Sequence, residues 1–220
     1  MKALNSNQSQ WLEKAVRMLK GIIFVPKCSG CGVALPLSRT DEAGGLFCDR
    51  CLSRFEKAKL KRCPECNQAS TECSCSPRIM REMGFGVMIS LVPYSEDEPT
   101  LEVVRRVLFR IKNTNDRALI DYLAKQLCYR IFPLVYELGG ENVIVTFAPR
   151  SRGAVNEIGH DQAALLSKRL AHHLGVRWSR LISRTRMSGV KQKDLGAEER
   201  LKNAKASFVP SGKVSDVKGK

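Results

Sequence analysis

The chain has 220 residues, 43% of them hydrophobic and 27% charged, which supplies a buried core and excludes global disorder. Lys and Arg total 37 against 22 Asp and Glu, and the net +15 calls for an anionic partner such as nucleic acid or a phosphate-bearing metabolite. Glu13, Lys14, Arg17 and Lys20 break up the segment from Trp11 to Val25, which suggests neither export nor a spanning helix there and predicts a cytoplasmic protein.

In chain order, Trp11, Leu12, Ala15, Val16, Leu19, Ile22 and Ile23 recur at helical spacing, so residues 1–27 are read as an amphipathic helix. Its mixed charges suit packing on its own protein better than a membrane surface. Residues 1–80 carry 13 basic and 7 acidic side chains, residues 81–140 carry 8 of each, and residues 141–220 carry 16 and 7.

Eight of the nine cysteines lie between positions 28 and 75, in four pairs: Cys28/Cys31, Cys48/Cys51, Cys63/Cys66 and Cys73/Cys75. A C-x-x-C turn aims two thiolates at one point, and two such turns complete a tetrahedral zinc site. Disulfides need an oxidising compartment, and a redox pair needs a single C-x-x-C at a strand-to-helix junction, so structural zinc is the preferred reading. Residues 28–80 are therefore read as a double zinc-ribbon-like module, most simply with two ions, in which sequential and interleaved pairings are both open. With cysteine at every position no site is left for water, so the metal is structural. The thiolates also absorb much of the positive surplus of this block, which moves the argument for an anionic ligand to residues 141–220.

From Gly84 onward strand and helix signals alternate. "GFGVMISLVPY" reads as a strand bounded by Gly84 and Pro93. Leu101, Val104, Leu108 and Ile111 mark a helix, and Leu119, Leu123, Leu127 and Ile131 a second beyond a turn at residues 113–115. Cys128 on or beside that stripe reads as a small core residue. "ENVIVTFAP" is the clearest strand, with the continuous apolar run of a parallel strand. A basic loop follows, then a helix with Ala163, Leu166, Leu170 and Leu174 inward, capped by Asp161 and ended by Gly175. This is half of a parallel α/β unit, in which ligands bind at the carboxyl ends of strands. Arg150, Ser151, Arg152 and Gly153 stand there as candidate phosphate or pyrophosphate ligands, although the loop has neither P-loop nor dinucleotide-fingerprint spacing. His160 lacks a partner nucleophile or acid and reads as loop packing. A polar, basic stretch follows, with Arg184, Lys191, Gln192, Arg200 and Asn203, suited to a mobile loop over an anion or to a nucleic-acid surface.

The segments "IIFVPKCSGCG", "LFCDRCL", "RCPECN", "LFRIKNTNDRALIDYLAKQL", "PRSRGAVNEIGHDQAALLSKRLA" and "RTRMSGVKQKDLGAEERLKNAKASF" resemble, in content and order, the ComF family of bacterial proteins. The resemblance implies an α/β fold, with a small N-terminal Cys-rich zinc module followed by a phosphoribosyltransferase-like parallel-sheet domain over 84–220. It further implies a role in natural competence and DNA uptake, handling single-stranded DNA. Ile158-Gly159-His160-Asp161-Gln162 departs from the family's usual R-G-F-N-Q. The acidic pair followed by Thr-Thr-Gly, with which such transferases hold PRPP, is not found, so the domain is expected to be incomplete and inactive. PRPP and Mg²⁺ would be ligands only of a longer form active as a phosphoribosyltransferase. A further alternative is a zinc-module scaffold for a competence helicase or recombination partner.

Overall fold

The computed structural model describes residues 25–36, 43–76, 78–82, 84, 87–93, 101–185, 196, 199 and 207–211. The helix expected before residue 25 lies outside them.

Helix α1 (Asp49–Lys59) starts at Cys48, whose extended backbone forms the N-cap. Asp49 in the first turn, with Lys57 and Lys59 in the last, complements the helix dipole. Its buried residues, Cys51, Phe55 and Ala58, are spaced by four and three, one face of a helix. A short helix α2 (Arg78–Glu82) follows. Residues 87–93 then run without regular structure, where a strand was expected. A strand needs a ladder partner for its backbone, and here the Ser90 carbonyl accepts instead from the Arg130 guanidinium.

Helix α3 (Glu102–Asn113) buries Val103, Val104, Val107 and Ile111. The next helix, α4 (Arg117–Leu138), starts at Asp116, whose carboxylate accepts from the Leu119 amide at 3.0 Å and from Arg110 Nε at 2.7 Å. One side chain thus caps α4 and ties it to the last turn of α3. Pro133 lies inside α4, and the helix ends at Gly139, where φ is 77°. Phe47 and Phe55 stack at 5.6 Å, and Tyr122 of α4 closes on both rings at 5.8 and 6.4 Å. The hydrophobic core runs unbroken from Cys28, Leu35 and Phe47 into α3 and the first half of α4. In the second half Tyr129, Phe132 and Tyr136 are exposed.

A 3₁₀ turn (Gly140–Asn142) leads to strand β1 (Ile144–Val145). Helices α5 (Arg152–Ile158) and α6 (Gln162–Leu174) then carry the chain to β2 (Arg177–Trp178), which pairs parallel with β1, Ile144 opposite Arg177. The expected parallel strand and following helix are present, but β1 has two residues and both are only half-buried. Asp161 caps α6 by accepting from the Ala163 and Ala164 amides, and Gly175 ends it in the left-handed region, as their positions predict. The buried residues of α6 are Ser167, Ala171 and Leu174, a face rotated from the expected stripe. The Trp178 indole explains Ser167: its N–H donates to the serine hydroxyl at 2.8 Å. Strand β3 (Ile182–Arg184) pairs antiparallel with β4 (Phe208–Pro210). No helix among the described residues is long and apolar enough to cross a membrane.

Candidate metal centres and the basic unit beside them

The two knuckles are copies of one another. Residues 27–34 read KCSGCGVA and residues 62–69 read RCPECNQA. In each, the first cysteine's amide donates to a carbonyl five residues on, Cys28 to Val33 and Cys63 to Gln68. The residue after the second cysteine donates back, Gly32 to Cys28 and Asn67 to Cys63. That residue must adopt positive φ, 77° at Gly32 and 58° at Asn67, which glycine and asparagine tolerate best. Isolated bridges, Lys27 to Ala34 and Arg62 to Ala69, close both loops.

The chain completes each knuckle with the next pair, so the pairing is sequential. Cys28, Cys31, Cys48 and Cys51 form one group, and Cys63, Cys66, Cys73 and Cys75 the other, with all sulfurs of a group within 4.8 Å of one another. Cys48 and Cys51 come from the cap and first turn of α1. Sulfur separations of 3.7 Å (Cys28 to Cys48 and Cys31 to Cys48) and 3.6 Å (Cys66 to Cys73) match the edge of a zinc–thiolate tetrahedron, about 3.8 Å for bonds of about 2.3 Å. Each group can hold a zinc ion.

The electrostatics agree with that donor set. Burial pushes the Cys28 thiol up, but N–H groups of Cys48, Cys31 and Gly30 outweigh it and bring it down to about 7. At Cys63 the backbone of Cys66 and Glu65 does the same, again to about 7. Their neighbours move the other way: Cys51 is driven up by burial and by the adjoining sulfurs, and Cys75 is pushed up to about 12 by Cys66 and Cys73. Four thiolates so close repel one another, and a divalent cation between them removes that obstacle. A bound zinc would supply cross-linking rather than chemistry, since four cysteines fill its coordination.

Arg130 joins the second centre to the fold. Its guanidinium donates to the Ser70 carbonyl at 2.5 Å, the Ser90 carbonyl at 2.6 Å and the Cys73 carbonyl at 3.3 Å. One α4 side chain thus holds the second knuckle and the 87–93 segment together. A cleft of about 480 Å³ lies between these two segments.

No protein-family model, curated protein or solved structure matches this chain.

Around the β1–β2 unit the expected phosphate ligands are placed unevenly. Arg150 turns inward, with Nη1 donating to the Lys112 carbonyl at 2.9 Å and to Gln162 Oε1 at 2.8 Å, and its amide donating to Asp161. Ser151 caps α5 by accepting from the Ala154 amide. Arg152 is exposed, and a Cβ at Gly153 would meet nothing within 4 Å. His160 is buried, its Nε2 3.2 Å from the Ile111 carbonyl and its Nδ1 3.3 Å from that of Ile158, which agrees with a packing role. Arg184 lies over the Phe208 ring at 5.4 Å, across the β3–β4 pair. Lys191, Gln192, Arg200 and Asn203 lie outside the described residues. Cys128 is half-buried in α4, and burial raises its thiol.

Sequence reasoning missed Arg130 and Asn67. The match between the two octapeptides was the available signal for Asn67, because it sets Asn67 opposite Gly32. Nothing local marks Arg130, whose partners lie 40 to 60 residues away.

Proposed function

We propose that this is a ComF-like protein in which two zinc centres brace a basic α/β unit that binds single-stranded nucleic acid, as in DNA uptake during natural transformation. The observation that carries the reading is where the positive charge sits. Arg152, Lys168, Arg177 and Arg180 are all exposed on or just after the β1–α5–α6–β2 unit, as is Arg169, which also reaches Asp121 at 3.7 Å. Arg150, the arginine placed for a small phosphate ligand, instead spends its guanidinium on Lys112 and Gln162. Distributed exposed cations suit a polymer that meets several of them at once. Phosphoribosyl transfer is not part of the proposal, because a pyrophosphate needs its arginine free.

Salt separates the two. Binding of a labelled single-stranded oligonucleotide, followed by anisotropy, is expected to weaken steeply as salt rises, with a log–log slope of several units. PRPP with Mg²⁺ is expected not to compete. Absence of oligonucleotide binding at low salt, or displacement by PRPP at substoichiometric oligonucleotide, would reject the reading.

A further inference from the structure

The buried face of α3 explains Val103, Val104, Val107 and Ile111, but not what faces outward. Arg105, Arg106, Phe109 and Lys112 share the other side of the helix, at spacings of three, four and seven. With Glu102 and Leu108 they line a shallow hollow of about 440 Å³. Phe109 is 69% exposed, although a ring of that size on a twelve-residue helix would ordinarily be turned inward. Glu102, paired with Arg106 at 2.5 Å, is the one acid lining this hollow among the described residues; both side chains are half-exposed, and a surface pair of that kind is weak enough to yield to a phosphate.

The platform is also held still. The last turn of α3 has its carbonyls occupied by groups from elsewhere: Arg150 on Lys112, His160 beside Ile111, and the Thr114 amide and hydroxyl on Arg110. The Asn113 amide closes on the Phe109 carbonyl at 2.8 Å. A ring carried by so well-fastened a turn loses little freedom when a ligand stacks on it.

We infer that this face of α3 is a base-stacking site for single-stranded nucleic acid, with one base lying on the Phe109 ring and its flanking phosphates meeting Arg106 on one side and Lys112 on the other. Arg106 to Lys112 spans about 9 Å at the helical rise, the scale of one nucleotide and its neighbouring phosphates. An aromatic between cations is the arrangement that non-specific single-strand binders use, because every base offers a π-face and every linkage a charge. Duplex DNA does not fit, since its bases are already stacked on one another. The inference rests on the nucleic-acid reading above and adds to it a place on α3, apart from the cations of α5, α6 and β2.

The test uses the whole zinc-loaded chain and a short labelled oligothymidylate. Phe109→Ala is expected to weaken binding about tenfold with no change in melting temperature, since the ring is exposed. Phe109→Trp is expected to retain binding and to add an indole emission that the oligonucleotide quenches, beyond any change seen in the wild-type protein. Lys112→Gln is expected to lower the salt slope by about one. If the wild-type chain binds and Phe109→Ala binds equally well, or the new tryptophan is not quenched, the stacking site is rejected while nucleic-acid binding stands. If the wild-type chain does not bind at low salt, the nucleic-acid reading itself fails, and this site with it.

Discussion

Gly30 shows how tightly the first cysteine knuckle is built into the fold. A Cβ there would lie 2.8 Å from Cys51 Cβ, Cys51 Sγ and Val103 Cγ2, so it would press on a metal ligand and on the α3 core together. Neither can retreat easily, because Cys51 is fixed in the first turn of α1 and Val103 is 4% exposed. Gly30→Ala is expected to cost about 1–3 kcal/mol, the usual range for overpacking, and to lower bound zinc from two per chain toward one. Thermal melting with metal content by mass spectrometry checks it, and Gly153→Ala, whose Cβ meets no atom within 4 Å, is the control expected to change neither. The cysteines were legible because paired thiols two or three apart on a turn carry metal chemistry whatever surrounds them. The reason for Gly30 was not: Gly32 needs its positive φ for the local turn, whereas Gly30 is required by crowding from residues 21 and 73 positions away.

Between helices, the seam of α4 and α6 is organised by one carboxylate. Asp121 on α4 meets His173 Nε2 at 3.0 Å and Arg169 Nε at 3.7 Å from α6, and Lys125 Nζ at 3.4 Å from its own helix. Burial pushes its carboxyl up, but the His173 hydrogen bond and Lys125 outweigh that and hold it below the usual range. A depressed acid stabilises the fold above its unfolded value, about 3.9, and loses that contribution as pH falls through the lower folded value. Asp121→Asn is expected to reduce stability by about 1 kcal/mol at neutral pH, with the gap to wild type closing once the solution is acidic enough to protonate Asp121 in the folded chain. Denaturant midpoints across pH decide it, and a gap that does not change with pH would mean packing rather than charge. Helices such as these were readable because their apolar faces repeat within a dozen residues. Residues 87–93 have strand-like composition, but strand formation depends on a distant partner, and the Arg130 guanidinium takes the Ser90 carbonyl instead.

Across the whole molecule the two four-cysteine centres share one local design and differ in setting. In the first, Cys28 and Cys51 are buried and belong to the core that contains Phe47, Phe55 and the valines of α3. In the second, no cysteine is buried, Cys66 is exposed, and the attachment to α4 rests on the Arg130 guanidinium. Metal loss requires local opening, and the free energy of opening scales with what must be exposed. A competing chelator is therefore expected to remove zinc in two phases. The fast phase empties the Cys63–Cys75 centre with helical circular dichroism unchanged. The slow phase empties the Cys28–Cys51 centre as the helical signal collapses, because that zinc and the core are opened together. Arg130→Ala, which removes the donor to the Cys73 carbonyl, is expected to accelerate the fast phase about tenfold and leave the slow phase unchanged. Zinc release read by an absorbance indicator alongside circular dichroism separates the phases. A single phase in which both ions leave with the helical signal would show that the second centre is as much a part of the core as the first.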